Sequence, residues 1–180
     1  MTPSPRLFGL CGSLRAGSRN RALMAEARRA FGPCDWSEGD LRLPLYDGDL
    51  EAQGIPEAVQ RVADAIAAAD AVVVVTPEYN KAISGVLKNA LDWVSRVKTP
   101  VWRDKPVAIM SATAGRSGGE RAQSSLRDCL VPFRPHIVPG PEVLVADAAN
   151  AFDPEGRLTQ PRAEAALVDL MSILRGAIRR

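Results

Sequence analysis

The residues best suited to chemistry lie just after the first apolar run. Gly12-Ser13-Leu14-Arg15-Ala16-Gly17-Ser18-Arg19-Asn20 combines backbone amides freed by glycine, two hydroxyls, a side-chain amide and two guanidinium groups. Where a strand hands over to a helix, such a set sits at the positive end of the helix dipole and matches an anion, a phosphate above all. The alternative at this point is a polar turn in which Ser18 or Asn20 only caps the helix.

Fixed spacings narrow the chemistry. Neither G-x-x-x-x-G-K-[ST] nor G-x-G-x-x-G occurs in this loop, which argues against a P-loop nucleotidase and an ordinary dinucleotide fingerprint. Cys11 ends the first strand as the nucleophile of a low-molecular-weight phosphatase would, but the arginine those enzymes require six positions later is Gly17 here. His136 is the only histidine, so Ser-His-Asp and metal chemistry lack their usual partner. Cys11, Cys34 and Cys129 are odd in number and show no C-x-x-C spacing, as expected of reduced thiols.

The loop needs elements to hold it. Residues 6–11 start with an apolar run that stops at Gly12, and Leu23, Ala27, Ala30 and Phe31 recur at helical spacing before Gly32-Pro33. Residues 34–37 are a weaker strand candidate, and residues 41–50, with Pro44 and Gly48, read as irregular. Pro56 suits the first turn of a helix whose stripe is Val59, Val62, Ala63 and Ile66. Residues 71–75 form a β-branched run without alternation, expected of a parallel strand buried on both faces. Ser84 suits the cap of a helix with Leu87, Ala90, Leu91 and Val94 inward, and residues 105–111 read as another buried strand.

The glycine-rich residues 115–119 precede a helix striped by Ala122, Leu126, Cys129 and Leu130; residues 142–146 are the last strand candidate, and Pro161 opens a final helix. Strand and helix thus alternate five times, which predicts an α/β, doubly wound parallel sheet with helices on both faces. Ligands of such sheets bind outside the carboxyl ends of the strands, where the winding reverses. Residues 12–20, 76–83 and 111–119 are the loops in that position.

One domain is the expectation at 180 residues. The longest apolar run, residues 71–75, falls far short of the about 20 residues that span a bilayer, and the N-terminus lacks a signal-like pattern. A cytoplasmic protein without a membrane partner is expected. Lys+Arg 23 against Asp+Glu 21 gives a net charge of only +2, scattered along the chain, which argues against nucleic acid.

A second cluster extends the first. Pro77-Glu78-Tyr79-Asn80 is followed by Gly85, Leu87-Lys88-Asn89-Ala90 and Asp92-Trp93, with Gly119, Arg121-Ala122-Gln123, Leu126-Arg127 and Pro141-Glu142-Val143 beyond. With Gly12-Ser13-Leu14-Arg15, Ser18 and Asn20, these segments resemble the NADPH-dependent FMN reductases, which include quinone, chromate and azo-dye reductases. The likeness covers nearly the whole chain. It implies a flavodoxin-like, five-stranded sheet of order 2-1-3-4-5, bound FMN, NADPH or NADH as donor, and a homodimer or homotetramer.

By that resemblance Ser13, Leu14, Arg15, Ala16, Gly17, Ser18 and Asn20 would hold the FMN phosphate. Pro77, Glu78, Tyr79 and Asn80 would pass along the isoalloxazine edge, and Ser111, Ala112, Thr113 and Gly115 would complete the pocket. No side chain is assigned a catalytic role, and Glu78 is expected to shape the pocket rather than move protons. The acceptor would be a quinone, azo compound, flavin or chromate-like anion. Two positions depart from the family pattern: Lys81 stands where a small or variable residue is common, and Ser84 where proline is common. The alternatives are a flavodoxin-like electron carrier, disfavoured by a sequence pI near 8.6, and a non-catalytic flavin-binding module.

Overall fold

The computed structural model describes residues 4–178. Three strands form the centre of a parallel sheet: β1 (Arg6–Cys11), β3 (Ala71–Thr76) and β4 (Pro106–Ala112). Each is apolar on both sides, so alternate residues feed two separate cores. Leu7 and Cys11 of β1, Val73 and Val75 of β3, and Met110 of β4 face one layer. Phe8, Leu10, Val72, Val74 and Ile109 face the other.

Helices α1 (Arg19–Phe31) and α6 (Pro161–Gly176) cover the first layer, burying Leu23, Ala27, Leu167 and Leu174 among others. Helices α3 (Glu57–Ala68), α4 (Gly85–Val94) and α5 (Glu120–Leu130) cover the second, through stripes that include Ile66, Leu87, Leu91 and Leu126. The 3.6-residue spacing of these apolar positions is what commits each segment to a helix with one buried face.

The strand order is β2-β1-β3-β4-β5, every pair parallel, with β2 at Asp35–Gly39. This is the doubly wound order expected of a flavodoxin-like fold. The fifth position is split. β5 (His136–Ile137) pairs with the start of β4, and β6 (Val143–Val145) pairs with its end. Pro139-Gly140-Pro141 separates the two, because proline cannot donate to a ladder and Gly140 packs against Leu170. A single strand at residues 142–146 was therefore too simple an expectation.

Three smaller differences have local causes. Strand β2 starts one residue later and runs two further than residues 34–37. Residues 48–52 contain a one-turn helix, α2 (Gly48–Ala52), started by Asp47, whose carboxylate accepts from the Asp49 amide. Too short for an apolar stripe, it left no periodic signal. Trp93, one step off the inward stripe of α4, is nonetheless fully buried, with Nε1 donating to the Pro44 carbonyl at 2.8 Å.

Candidate functional site

Strand β1 ends at Cys11, and the chain turns immediately at Gly12. Its N–H donates to the Val75 carbonyl at 2.8 Å, joining the turn to β3 across the point where the winding reverses. A side chain here would force its neighbours to shift, since a Cβ would lie 2.8 Å from Ser84 Oγ and 3.3 Å from Leu87 Cβ. Ser18 caps α1, its hydroxyl accepting from Arg21 N at 3.4 Å. Residues 12–18 thus lie at the N-terminus of α1. Cys11 is buried beneath them with Sγ donating to the Ser13 carbonyl, and burial pushes its thiol pKa up, the reverse of an activated nucleophile.

The electrostatics of this end are uneven. Helices α2, α3, α5 and α6 each carry an acidic residue in the first turn, whereas α1 and α4 carry none. The positive end of α1 is therefore not neutralised by its own sequence. Arg15 is exposed beside it and pairs with no carboxylate among the described residues. Gly17 has no atom within 4 Å of a would-be Cβ, leaving room for a ligand to approach the backbone.

The second loop follows β3. Tyr79 and Ala82 exchange two backbone hydrogen bonds, both 3.1 Å, around Asn80 and Lys81, whose φ angles are 50° and 65°. Two consecutive positive φ values mark a type I′ turn, a geometry that asparagine tolerates and lysine adopts under strain. Glu78 points sideways and accepts from the Ala122 amide at 3.1 Å. Gly119, at the N-cap of α5, has no side chain, so the Glu78 carboxylate supplies the cap from another loop.

The third loop follows β4. Gly118 and Gly119 both have positive φ, and a Cβ on Gly119 would lie 2.7 Å from the Ser111 side chain. Ser111 is fully buried, donating to the Gly118 carbonyl at 2.7 Å and accepting from Gln123 Nε2 at 2.9 Å. It braces the loop from below. Asn20 is occupied similarly, its Nδ2 donating to the Ala112 carbonyl at 2.8 Å and its Oδ1 accepting from the Ala112 amide at 2.9 Å.

These loops enclose a cleft of about 600 Å³, a size usual for a cofactor site. Of the residues expected from sequence, Ser13, Arg15, Gly17, Ser18, Asn20, Pro77, Glu78, Tyr79, Ala112, Thr113 and Gly115 line it. Leu14, Ala16, Asn80 and Ser111 do not: Leu14 is tied through its carbonyl to Arg42, Ala16 and Asn80 face solvent, and Ser111 lies underneath. Arg19, Ala114 and Ser117, from the loops expected at the site, line it too, and Ala148 and Ala149 line it unannounced. The last two form a fourth wall after β6, which Arg19 joins to α1 by donating to the Ala149 carbonyl at 3.1 Å. Alanines carry no chemical signal, so only the fold could reveal them.

A second hollow of about 620 Å³ lies between the end of α4 and Phe133, lined by Trp102 and by Arg96, Arg103 and Arg134. None of the three loops that follow the carboxyl ends of β1, β3 and β4 reaches it.

A family model described as NADPH-dependent FMN reductase matches residues 5–150. The chain belongs to that family. As a member it is an FMN-dependent oxidoreductase using NAD(P)H, and relatives agree along its length. It is 42% identical over 182 aligned positions to the NAD(P)H-dependent FMN reductase PA1204 of Pseudomonas aeruginosa, covering 100% of this chain and 98% of the relative. It is 37% identical over 160 positions to the quinone reductase of Escherichia coli K12, covering 86% and 85%. Among solved structures, the flavoenzyme NAD(P)H:(acceptor) oxidoreductase FerB of Paracoccus denitrificans superposes with a TM-score of 0.86 at 30% identity, over 97% of each chain.

The residues of this FMN reductase fit the cofactor of its family. The uncompensated start of α1, the two buried serines Ser13 and Ser18, and the exposed Arg15 suit a phosphate dianion. The wall from Pro77 to Tyr79 and the backbone of residues 112–115 suit a flat heterocycle.

Proposed function

We propose that this reductase passes two electrons from NADPH or NADH to a quinone-class acceptor at the cleft between the loops after β1, β3 and β4. The observation that carries the reading is the unneutralised N-terminus of α1 opening on that cleft beside Arg15, which pairs with no carboxylate among the described residues. When bound, FMN supplies the hydride-accepting and hydride-donating chemistry. The protein's residues bind and orient.

Ser13, Ser18, the Gly17 backbone and Arg15 hold the phosphate by hydrogen bonds and charge. Pro77, Glu78 and Tyr79 set the ring edge, with Tyr79 at 54% exposure free to close over whatever stacks there. The backbone amides of residues 112–115, which line the cleft, would favour negative charge on a bound flavin. Rather than reacting, Asn20 ties the start of α1 to the end of β4, Glu78 ties the loop after β3 to α5, and Ser111 braces the loop after β4. Lys81, exposed at the tip of the type I′ turn, attracts anionic acceptors or the donor's phosphate.

Quinones lead the acceptor classes because relatives over most of this chain are quinone reductases; azo compounds, free flavin and chromate-like anions are the others. The test is steady-state oxidation of NADPH and NADH by FMN-loaded protein with a soluble quinone. Turnover is expected, and its absence with both donors overturns the reading in favour of a carrier or binding module. A homodimer or homotetramer is part of the same proposal, and light scattering that shows only monomer removes it.

A further inference from the structure

We propose that Ser84 is a positioning residue, its hydroxyl holding the phosphate loop in the shape that receives the ligand. The inference rests on the FMN reading above. Ser84 caps α4 and is 2% exposed, yet its side chain does more than cap. Oγ accepts from the Leu87 amide at 3.2 Å and donates to the Gly12 carbonyl at 2.6 Å, across 72 residues of sequence.

The second bond matters because of where Gly12 sits. Its N–H is held by Val75, so Ser84 secures the remaining polar group of the residue that starts the loop. In a planar trans peptide the carbonyl and the next N–H point opposite ways. Pinning the Gly12 carbonyl towards α4 therefore aims the Ser13 N–H away from α4, and Ser13 lines the cleft. Glycine alone does not fix a peptide's orientation, since it is the residue with the widest backbone freedom. The hydroxyl supplies the restraint.

A comparison within the chain separates this role from helix capping. Pro56 precedes α3 with φ −57° and ψ 140°, and Ser84 precedes α4 with φ −64° and ψ 148°. The backbones nearly coincide, and proline accommodates this φ without strain. No backbone hydrogen bond from the Ser84 N–H occurs among the described residues, so a proline there would lose none. The α3 start manages with no side-chain cap at all. Beyond its cap bond to Leu87, what serine adds at position 84 is the bond to Gly12.

The experiment uses full-length protein, with Ser84→Ala and the backbone-matched Ser84→Pro, titrated with FMN and with riboflavin, which lacks the phosphate. Thermal unfolding of each variant shows whether it is folded. The clamp predicts that FMN binding weakens about tenfold in both variants, the worth of one buried hydrogen bond, while riboflavin binding is unchanged. Equal weakening of both ligands, or an unchanged ratio, overturns it and leaves Ser84 a structural cap. Failure of the unaltered protein to bind FMN overturns the functional reading itself, and this inference with it. Because proline keeps φ and lacks the hydroxyl, Ser84→Pro decides the matter if Ser84→Ala folds poorly.

Discussion

At the carboxyl end of the sheet the chain enters its helices, and at the amino end it leaves them, so one end collects helix N-termini and the other helix C-termini. The amino end meets its exposed carbonyls with a cation from the protein. Lys105 Nζ donates to the Ala67 carbonyl at 3.1 Å and to the Ala69 carbonyl, closing α3, while burial holds its pKa below the ordinary lysine value. Beside it Asp70 accepts from Arg6 N at 2.7 Å. The carboxyl end is satisfied only in part. Glu78 answers α5, but α1 begins with Arg19 and Arg21 and no acid. An end left electropositive by its own sequence suits an anion; an end closed by its own lysine does not.

The largest break in that comparison is expected from Asn20→Ala. It leaves the amide and carbonyl of buried Ala112 without partners, so unfolding in urea should show a loss of about 2–4 kcal/mol, the cost of orphaning two buried groups. FMN affinity should fall with it, since the loops after β1 and β4 separate. Lys105→Met probes the opposite end. It should cost about 1 kcal/mol through the lost α3 cap and leave FMN affinity unchanged; a parallel fall in affinity would mean that the two ends are not independent.

Glu78→Gln keeps shape and removes charge from the α5 cap, with an expected cost near 0.5 kcal/mol in chemical denaturation that shrinks in high salt. The smallest effect belongs to Lys81→Gly. Relief of the left-handed strain slightly exceeds the entropy that glycine adds to the unfolded chain, for a gain of about 0.5 kcal/mol or less. The same variant should show a lower rate with chromate relative to a neutral quinone than the unaltered protein, and an unchanged acceptor profile would remove Lys81 from acceptor choice.

Parts of the molecule were plain in the sequence for physical reasons. The run of valines in β3 has no polar alternation because both faces are buried, and the stripes of α3, α4 and α5 carry the helical period directly. Ser84 read as a cap because a hydroxyl preceded an apolar stripe, and it caps α4; Ser18, read first as part of an anion seat with capping as the alternative, does cap α1. Gly140 and its flanking prolines hid the split of the fifth strand, since a broken strand of two and three residues has no period to detect. Glu78, Asn20 and Ser111 stood out as polar residues in the right loops, but their partners lie 44, 92 and 7 residues away. No spacing rule reports such pairings.

The local sequence by itself determined the alternation of elements, the position of the three loops and the electropositive character of residues 12–20, because propensity, capping and dipole act within a few residues. The tertiary structure alone decided which polar side chains stay free for a ligand and which are consumed in holding the loops. Asn20 and Arg15 come from the same loop, yet one is bonded to Ala112 and the other has no carboxylate partner among the described residues. That division depends on backbone groups brought alongside by the parallel winding of β1, β3 and β4, and those contacts exist only once the sheet has formed.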